Sequence, residues 1–245
     1  MNDNPALKAL RTAIAQGKPI DWDFIAPPLQ LQRITPMSNT VKVTVFSFDE
    51  LSERAKENAR DWWRKGALDY GWWDAVYEYA SNVAEILGID LEQKTVKLMS
   101  GRTCYDPAIY FSGFCSQGDG ACFDATYRYA KGAAKKIREY APQDAEIHAI
   151  ADALQATQRK AFYRLEANIR QSGRYFDVEI EVFDREDNYK DIGNAENDIA
   201  KSLRDFAHWI YQKLENEHDY LMGDEQVDEA IRSNKYIFDE HGNEA

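Results

Sequence analysis

No stretch of this 245-residue chain approaches the roughly 20 consecutive apolar residues that a membrane-spanning helix requires. The opening segment, MNDNPALKALRTAIAQG, also lacks an apolar run of signal-peptide length. Both absences favour a cytoplasmic protein with no membrane contact. Cysteine is scarce: Cys104, Cys115 and Cys122 are an odd number with no CxxC pair, which predicts free thiols and no disulfide framework. The four histidines are scattered, and none has ligand spacing to a cysteine, so no zinc site is expected. His208 and His218 stand ten residues apart on one predicted helix, too far to share a ligand. The chain has no internal repeat and no low-complexity tract. Positive charge is in short supply, with 30 Lys and Arg against 42 Asp and Glu. That balance counts against direct nucleic-acid binding.

What remains is globular. A hydrophobic content of 44% and an aromatic content of 13% suffice for a real core. Residues 4–16 place Leu7, Leu10 and Ile14 at helical spacing. Pro19, Pro27, Pro28 and Pro36 follow, so residues 1–38 read as an N-terminal helical arm with a Pro-rich linker. Met37 stands just before the first strand, Val41–Phe46, and is an alternative start. Residues 39–245 read as one domain. A helix capped by Asp49 runs to about Leu68, and a second runs from Trp72 to Leu87, stopped by Gly88. The doublets Trp62-Trp63 and Trp72-Trp73 predict an aromatic wedge where these helices meet. Strands follow at Lys94–Ser100, Pro107–Phe114 and Ala121–Tyr129. A helix from Ala133 to about Thr157 is interrupted at Pro142, a long helix spans about 196–221, a short one about 224–233, and Tyr236–Phe238 reads as an edge strand or a packed tail. Adjacent hairpins among helices predict an α+β fold, an antiparallel sheet of about five to six strands with helices packed on it.

The segments Ala161–Arg170 and Tyr175–Phe183 predict a hairpin around Ser172-Gly173. A two-residue turn there places Ile169 opposite Phe176, Ala167 opposite Val178, Leu165 opposite Ile180 and Tyr163 opposite Val182. The opposite face then carries Asp177, Glu179 and Glu181 as a row of carboxylates. Charge is concentrated in the same region. Between Asp177 and Glu229 stand 17 acids and five bases, while the rest of the chain has 25 of each. Acids gathered on one face attract a basic protein surface.

The motif FSGFCSQGDGACFD, residues 111–124, sets Gln117-Gly118-Asp119-Gly120 between two aromatic stretches. Glycine and aspartate suit a turn. A phosphate-binding loop would open a helix and carry Lys-Ser/Thr or a third glycine, and here a strand follows. Asp106, Asp119 and Asp124 could gather as oxygen ligands for Mg²⁺ but have no metal-loop spacing. No catalytic residue, metal or cofactor is therefore assigned. Gln117 and Asp119 instead form a candidate recognition tip.

Three segments, FSFDELSERAKENARDWWR (46–64), FSGFCSQGDGACF (111–123) and DYLMGDEQVDEAIRSNKYIFDEHGN (219–243), resemble a family of phage and mobile-element proteins labelled "antitoxin of toxin–antitoxin stability system". The resemblance covers about residues 38–245 and supplies no catalytic residues. It implies a protein in the cytoplasm of a bacterial host that neutralises another macromolecule, either a toxin or a defence complex such as CRISPR–Cas. The resulting expectation is a non-catalytic inhibitor that docks a protein or ribonucleoprotein with a basic surface through Gln117, Asp119, Asp177, Glu179, Glu181, Asp198 and Asp205. The alternatives are a nucleotide- or nucleic-acid-processing enzyme using the aspartates near Gly118-Asp119-Gly120, and a nucleic-acid binder using the basic stretches 128–138 and 159–174.

Overall fold

The computed structural model describes residues 44–68, 71–97, 101–172, 176–187 and 191–245. The expected arm at 1–38 lies outside them. Strand β1 (Phe46–Ser47) leads through a 3-10 turn (Phe48–Glu50) into helix α1 (Glu53–Gly66), and helix α2 (Asp74–Leu87) follows. Six short strands come next: β2 (Ile89–Leu91), β3 (Gln93–Lys97), β4 (Thr103–Pro107), β5 (Ile109–Phe111), β6 (Ala121–Phe123) and β7 (Ala125–Arg128). Helices α3 (Ala133–Tyr140) and α4 (Ala145–Lys160) precede the long strands β8 (Leu165–Ser172) and β9 (Asp177–Asp184). Helix α5 (Asn194–Leu221), helix α6 (Asp224–Asn234) and β10 (Ile237–Phe238) complete an α+β fold.

All pairings among the described residues are antiparallel. The strands form one four-stranded sheet, β2-β7-β8-β9, and three two-stranded ribbons, β1-β10, β3-β4 and β5-β6. One face of the four-stranded sheet presents Ile89, Ala125, Tyr127, Leu165, Ala167, Ile169, Val178 and Val182 to the main core. Helices α2 to α5 cover that face with stripes such as Val76, Ala80, Val83 and Leu87 on α2 and Ile199, Leu203, Phe206, Ile210 and Leu214 on α5. Burying each Val, Leu, Ile or Phe of these stripes contributes about 1.5–3 kcal/mol. Where α4 ends on β8, buried Gln158 stands in for a strand neighbour: its amide nitrogen donates to Leu165 O at 2.7 Å and its oxygen accepts from Leu165 N–H at 3.2 Å.

A second, smaller core joins the two ends of the described chain. Phe48, Leu51, Ala55, Ala59, Val227, Ile231 and Phe238 are buried together. Ion pairs rim it: Arg60 holds both carboxylate oxygens of Asp228, at 2.7 and 3.0 Å, and Arg64 pairs with Asp224.

Several expectations change. Helix α1 is capped by Ser52, whose hydroxyl accepts from Ala55 N–H, not by Asp49. Ser47 and Glu50 close a separate turn first, through Ser47 N–H to Glu50 Oε2 at 2.8 Å. Trp62 packs edge-on against Tyr236 and Phe238 in the small core, whereas Trp72 packs on Phe111 and Phe114 in the large one. The two doublets thus serve different cores and form no single wedge. The β8–β9 register pairs Ala167 with Val182 and Ile169 with Ile180, four residues away from the expected sum. The connection spans residues 173–176 instead of two residues, and 173–175 lie outside the described residues. Residues 161–164 are not strand: α4 runs on to Lys160, and Tyr163 N–H returns to Gln158 O at 2.7 Å.

Candidate interaction surface

The glycine motif is a nine-residue loop, 112–120, on the short β5–β6 ribbon. Its base is closed in both directions, by Ser112 N–H to Gly120 O and by Gly120 N–H to Ser112 Oγ, each at 3.1 Å. The Asp119 carboxylate turns back into the loop and accepts from Cys115 N–H at 3.0 Å and Ser116 N–H at 2.6 Å. The bond from Ser116, with those from Ser112 and Cys115, holds its pKa below the ordinary carboxylate value. Gly118, with φ +97°, makes the reversal that brings this carboxylate round. Phe114 anchors the loop, packing on Phe111, Trp72, Tyr211 and His218, and the Tyr211 hydroxyl donates to Gly113 O at 3.1 Å. Gln117 is exposed at the crest. Of the two expected tip residues, Gln117 is displayed and Asp119 fixes the shape that displays it.

The loop adjoins the start of β9. A methyl built on Gly120 would stand 3.6 Å from Phe176 Cβ, one residue before Asp177. On β9 the burial alternates, with Val178 and Val182 buried and Asp177, Glu179 and Glu181 exposed. A register shift of four keeps every residue on its face, so the carboxylate row survives the change in pairing. Its members differ in their surroundings. Asp177 lies 4.0 Å from the Arg204 guanidinium of α5. Glu179 stands opposite Arg170, but Arg170 pairs with Glu92 at 2.7 Å, and Glu181 stands opposite neutral Asn168. Among the described residues, Glu179 and Glu181 have no basic partner.

Asp198 and Asp205 belong to α5, which packs on the apolar face of the sheet, whereas Glu179 and Glu181 project from the other face. Asp205 is further engaged by Lys201 at 2.6 Å. The seven candidate residues therefore divide between the β5–β6 loop, strand β9 and helix α5, with Asp177 reaching toward α5 through Arg204. Gln117, Asp177, Glu179 and Glu181 follow one another along the loop and strand, and Asp198 and Asp205 line the helix behind. Part of the acidity of 177–229 is also consumed internally, since Asp224 and Asp228 neutralise Arg64 and Arg60.

The aspartates of the enzyme alternative are held in separate arrangements. Asp119 closes its loop, Asp124 accepts from the Tyr110 hydroxyl and from Gln171 N–H, and Asp106 faces Lys94 across the β3–β4 ribbon. Among the described residues no three acids, histidines or cysteines are grouped to hold a metal ion. Several bases of the two basic stretches are paired: Arg128 with Glu166, Arg138 with Asp152 and Arg164 with Glu186. Two further clusters gave no sequence signal. Lys94 donates to Ile109 O at 2.7 Å beneath the rings of Tyr77 and Tyr110, and burial lowers its pKa. Asp144 accepts from Lys213 at 2.7 Å and from Trp209 Nε1 at 3.0 Å. Both depend on contacts between residues distant in sequence, which periodicity does not reveal.

No helix among the described residues is long and apolar enough to cross a membrane. No curated protein and no solved structure matches the chain. Residues 72–224, more than half of the chain, match the family model described as a domain of unknown function, DUF8835, and the protein belongs to that family.

Proposed function

We propose that this protein is a non-catalytic inhibitor, encoded by a phage or mobile element, that binds and neutralises a bacterial protein or ribonucleoprotein through an acidic surface. The observation that carries this reading is the pair Glu179 and Glu181: exposed, side by side on one strand face, with no basic partner among the described residues. Exposed charges so placed contribute little to fold stability, and their repulsion is relieved by a basic partner. Gln117, held out by an internally bonded loop next to β9, adds a polar contact that needs little further ordering on binding. The resemblance of 46–64, 111–123 and 219–243 to phage antitoxin-like proteins supports a neutralising role.

The test is capture from bacterial lysate, coupled to protection of cells against a panel of toxins and defence systems. Wild type is expected to capture a basic protein and to protect. Glu179→Lys/Glu181→Lys is expected to lose both, with its circular dichroism spectrum and melting temperature unchanged. Capture and protection that survive the double reversal overturn the docking surface. Activity that disappears with EDTA and returns with Mg²⁺ overturns the non-catalytic reading in favour of the aspartate-based enzyme.

A further inference from the structure

The proposed surface includes, besides carboxylates, a stretch of strand edge that no other described residue pairs. β9 is the last strand of the four-stranded sheet and contains no proline across its eight residues. In an antiparallel pair, residues alternate between those bonded to the neighbouring strand and those turned away. Arg185 N–H donates to Arg164 O at 2.9 Å, one step beyond the Leu165–Asp184 pair. By that alternation Asp177, Glu179, Glu181 and Phe183 bond to β8, and Val178, Ile180, Val182 and Asp184 turn their N–H and C=O groups outward. Contacts at the two ends agree. Val178 N–H is taken by the Asp177 carboxylate at 2.8 Å, and Asp184 O accepts from Asp187 N–H at 3.2 Å. Between these ends, the N–H and C=O groups of Ile180 and Val182 and the C=O of Val178 have no partner among the described residues.

We propose that this edge takes an extended segment of the target protein as a fifth strand, with Lys or Arg at alternate positions of the incoming segment. This rests on the docking reading above and specifies how docking occurs. Backbone pairing would supply affinity, and the side chains at every second position would supply selectivity. A guest strand on β9 places alternate side chains on the Glu179–Glu181 face, within roughly 4.5–5.5 Å of the opposing Cβ atoms. Basic residues there find carboxylates that Arg170 and Asn168 leave unneutralised. A second copy of this chain is the poorer occupant, because pairing β9 with itself brings its acidic row against a like row, and like charges opposite one another are destabilising.

The experiment uses the full chain and a short peptide alternating Lys with Val. Two control peptides have the same side chains and charge but carry N-methyl groups on alternate backbone nitrogens, one in each phase, so that in one of them the pairing edge is blocked. Fluorescence anisotropy gives affinity, and amide hydrogen exchange reports Ile180 and Val182. The expected result is binding of the parent peptide and slower exchange at both amides. At least about tenfold weaker binding is expected with one of the methylated phases and with Glu179→Lys/Glu181→Lys. Equal binding of all three peptides, or unchanged exchange at Ile180 and Val182, overturns strand addition. If host-protein capture still depends on Glu179 and Glu181 in that case, the docking reading stands without it. If capture is also indifferent to those acids, the docking reading has itself failed.

Discussion

Gln158 offers the sharpest test of how the sheet is held against its helices. It is fully buried, and replacing it by Met keeps the volume and the apolar fit while deleting three hydrogen bonds. Leu165 N–H and Leu165 O each lose their side-chain partner, and the Tyr127 hydroxyl, 3.3 Å from the Gln158 amide, loses its donor. Leu165 and Tyr127 are themselves 1% exposed, so water does not replace the lost bonds. A buried polar group left unsatisfied costs about 1–3 kcal/mol. Taking the low end for each of the three groups gives about 3 kcal/mol, or roughly 6–12 °C in melting temperature for a chain of this size. Gln158→Glu separates hydrogen bonding from packing. A protonated glutamic acid still donates and accepts, whereas the carboxylate only accepts and is buried without a counter-charge. Its folded pKa is therefore raised, so its stability is highest below the ordinary glutamate pKa and falls as pH rises. Melting curves by circular dichroism at pH 4.5 and 7.5 for wild type and both variants decide the matter. A Met variant melting within 2 °C of wild type, or a Glu variant with the pH dependence of wild type, refutes the assigned role.

Three further outcomes follow from individual contacts. Gly242→Ala should release the C-terminal tail from α1, because its φ is +84° and an added Cβ would stand 2.0 Å from Ala55 O. The backbone term alone costs roughly 1–2 kcal/mol, and limited proteolysis should show cleavage after β10 that wild type resists. Asp119→Ala should leave the melting temperature nearly unchanged while accelerating amide exchange at Cys115 and Ser116, the two donors to its carboxylate, and weakening partner capture; unchanged exchange contradicts the loop-closing role. Burial works to raise the Asp144 pKa, but bonds from Lys213, Trp209 and Ile147 outweigh it and leave the pKa below its ordinary value. Its contribution is therefore present above the unfolded pKa, about 3.9, and lost as pH falls through the lower folded value. Asp144→Asn should melt lower than wild type at pH 7, with the gap closing toward pH 2–3.

The legible parts of this fold were those in which one local pattern carried the information. The α5 stripe of Ile199, Leu203, Phe206, Ile210 and Leu214 and the break at Pro142 were readable because helical period and proline chemistry act within a few residues. The face of Glu179 and Glu181 was readable for a related reason: alternation along β9 does not depend on which residue of β8 stands opposite. The register itself was not readable, since it depends on the length of the connection and on how far α4 runs before β8 begins. Asp119 illustrates the limit at the site. Its placement between two glycines signalled a turn, but whether the carboxylate faces solvent or the amides of Cys115 and Ser116 is decided by the closed loop, not by composition. The two tryptophan doublets were misread as one wedge because nothing local indicates that Trp62 meets Tyr236 and Phe238, residues more than 170 positions away.

The family match and the two cores divide the chain at the same places. Every fully buried residue of the large core lies between Trp72 and Leu214, inside the matched segment 72–224, and every one of the small core lies between Phe48 and Ala59 or between Val227 and Phe238, outside it. The candidate loop and β9 both belong to the matched segment, so the surface proposed for docking is built by the family domain alone. The small core has a different task. It packs the residues that lead into the domain against those that leave it, and it uses Asp224 and Asp228 to neutralise Arg64 and Arg60. Those two acids count toward the net charge of 177–229, but each is already paired with an arginine of α1. Net charge therefore overstates the docking surface, and position carries the proposed binding: two carboxylates on an edge strand, with no basic partner among the described residues, beside the backbone groups of Ile180 and Val182, which also have no partner there.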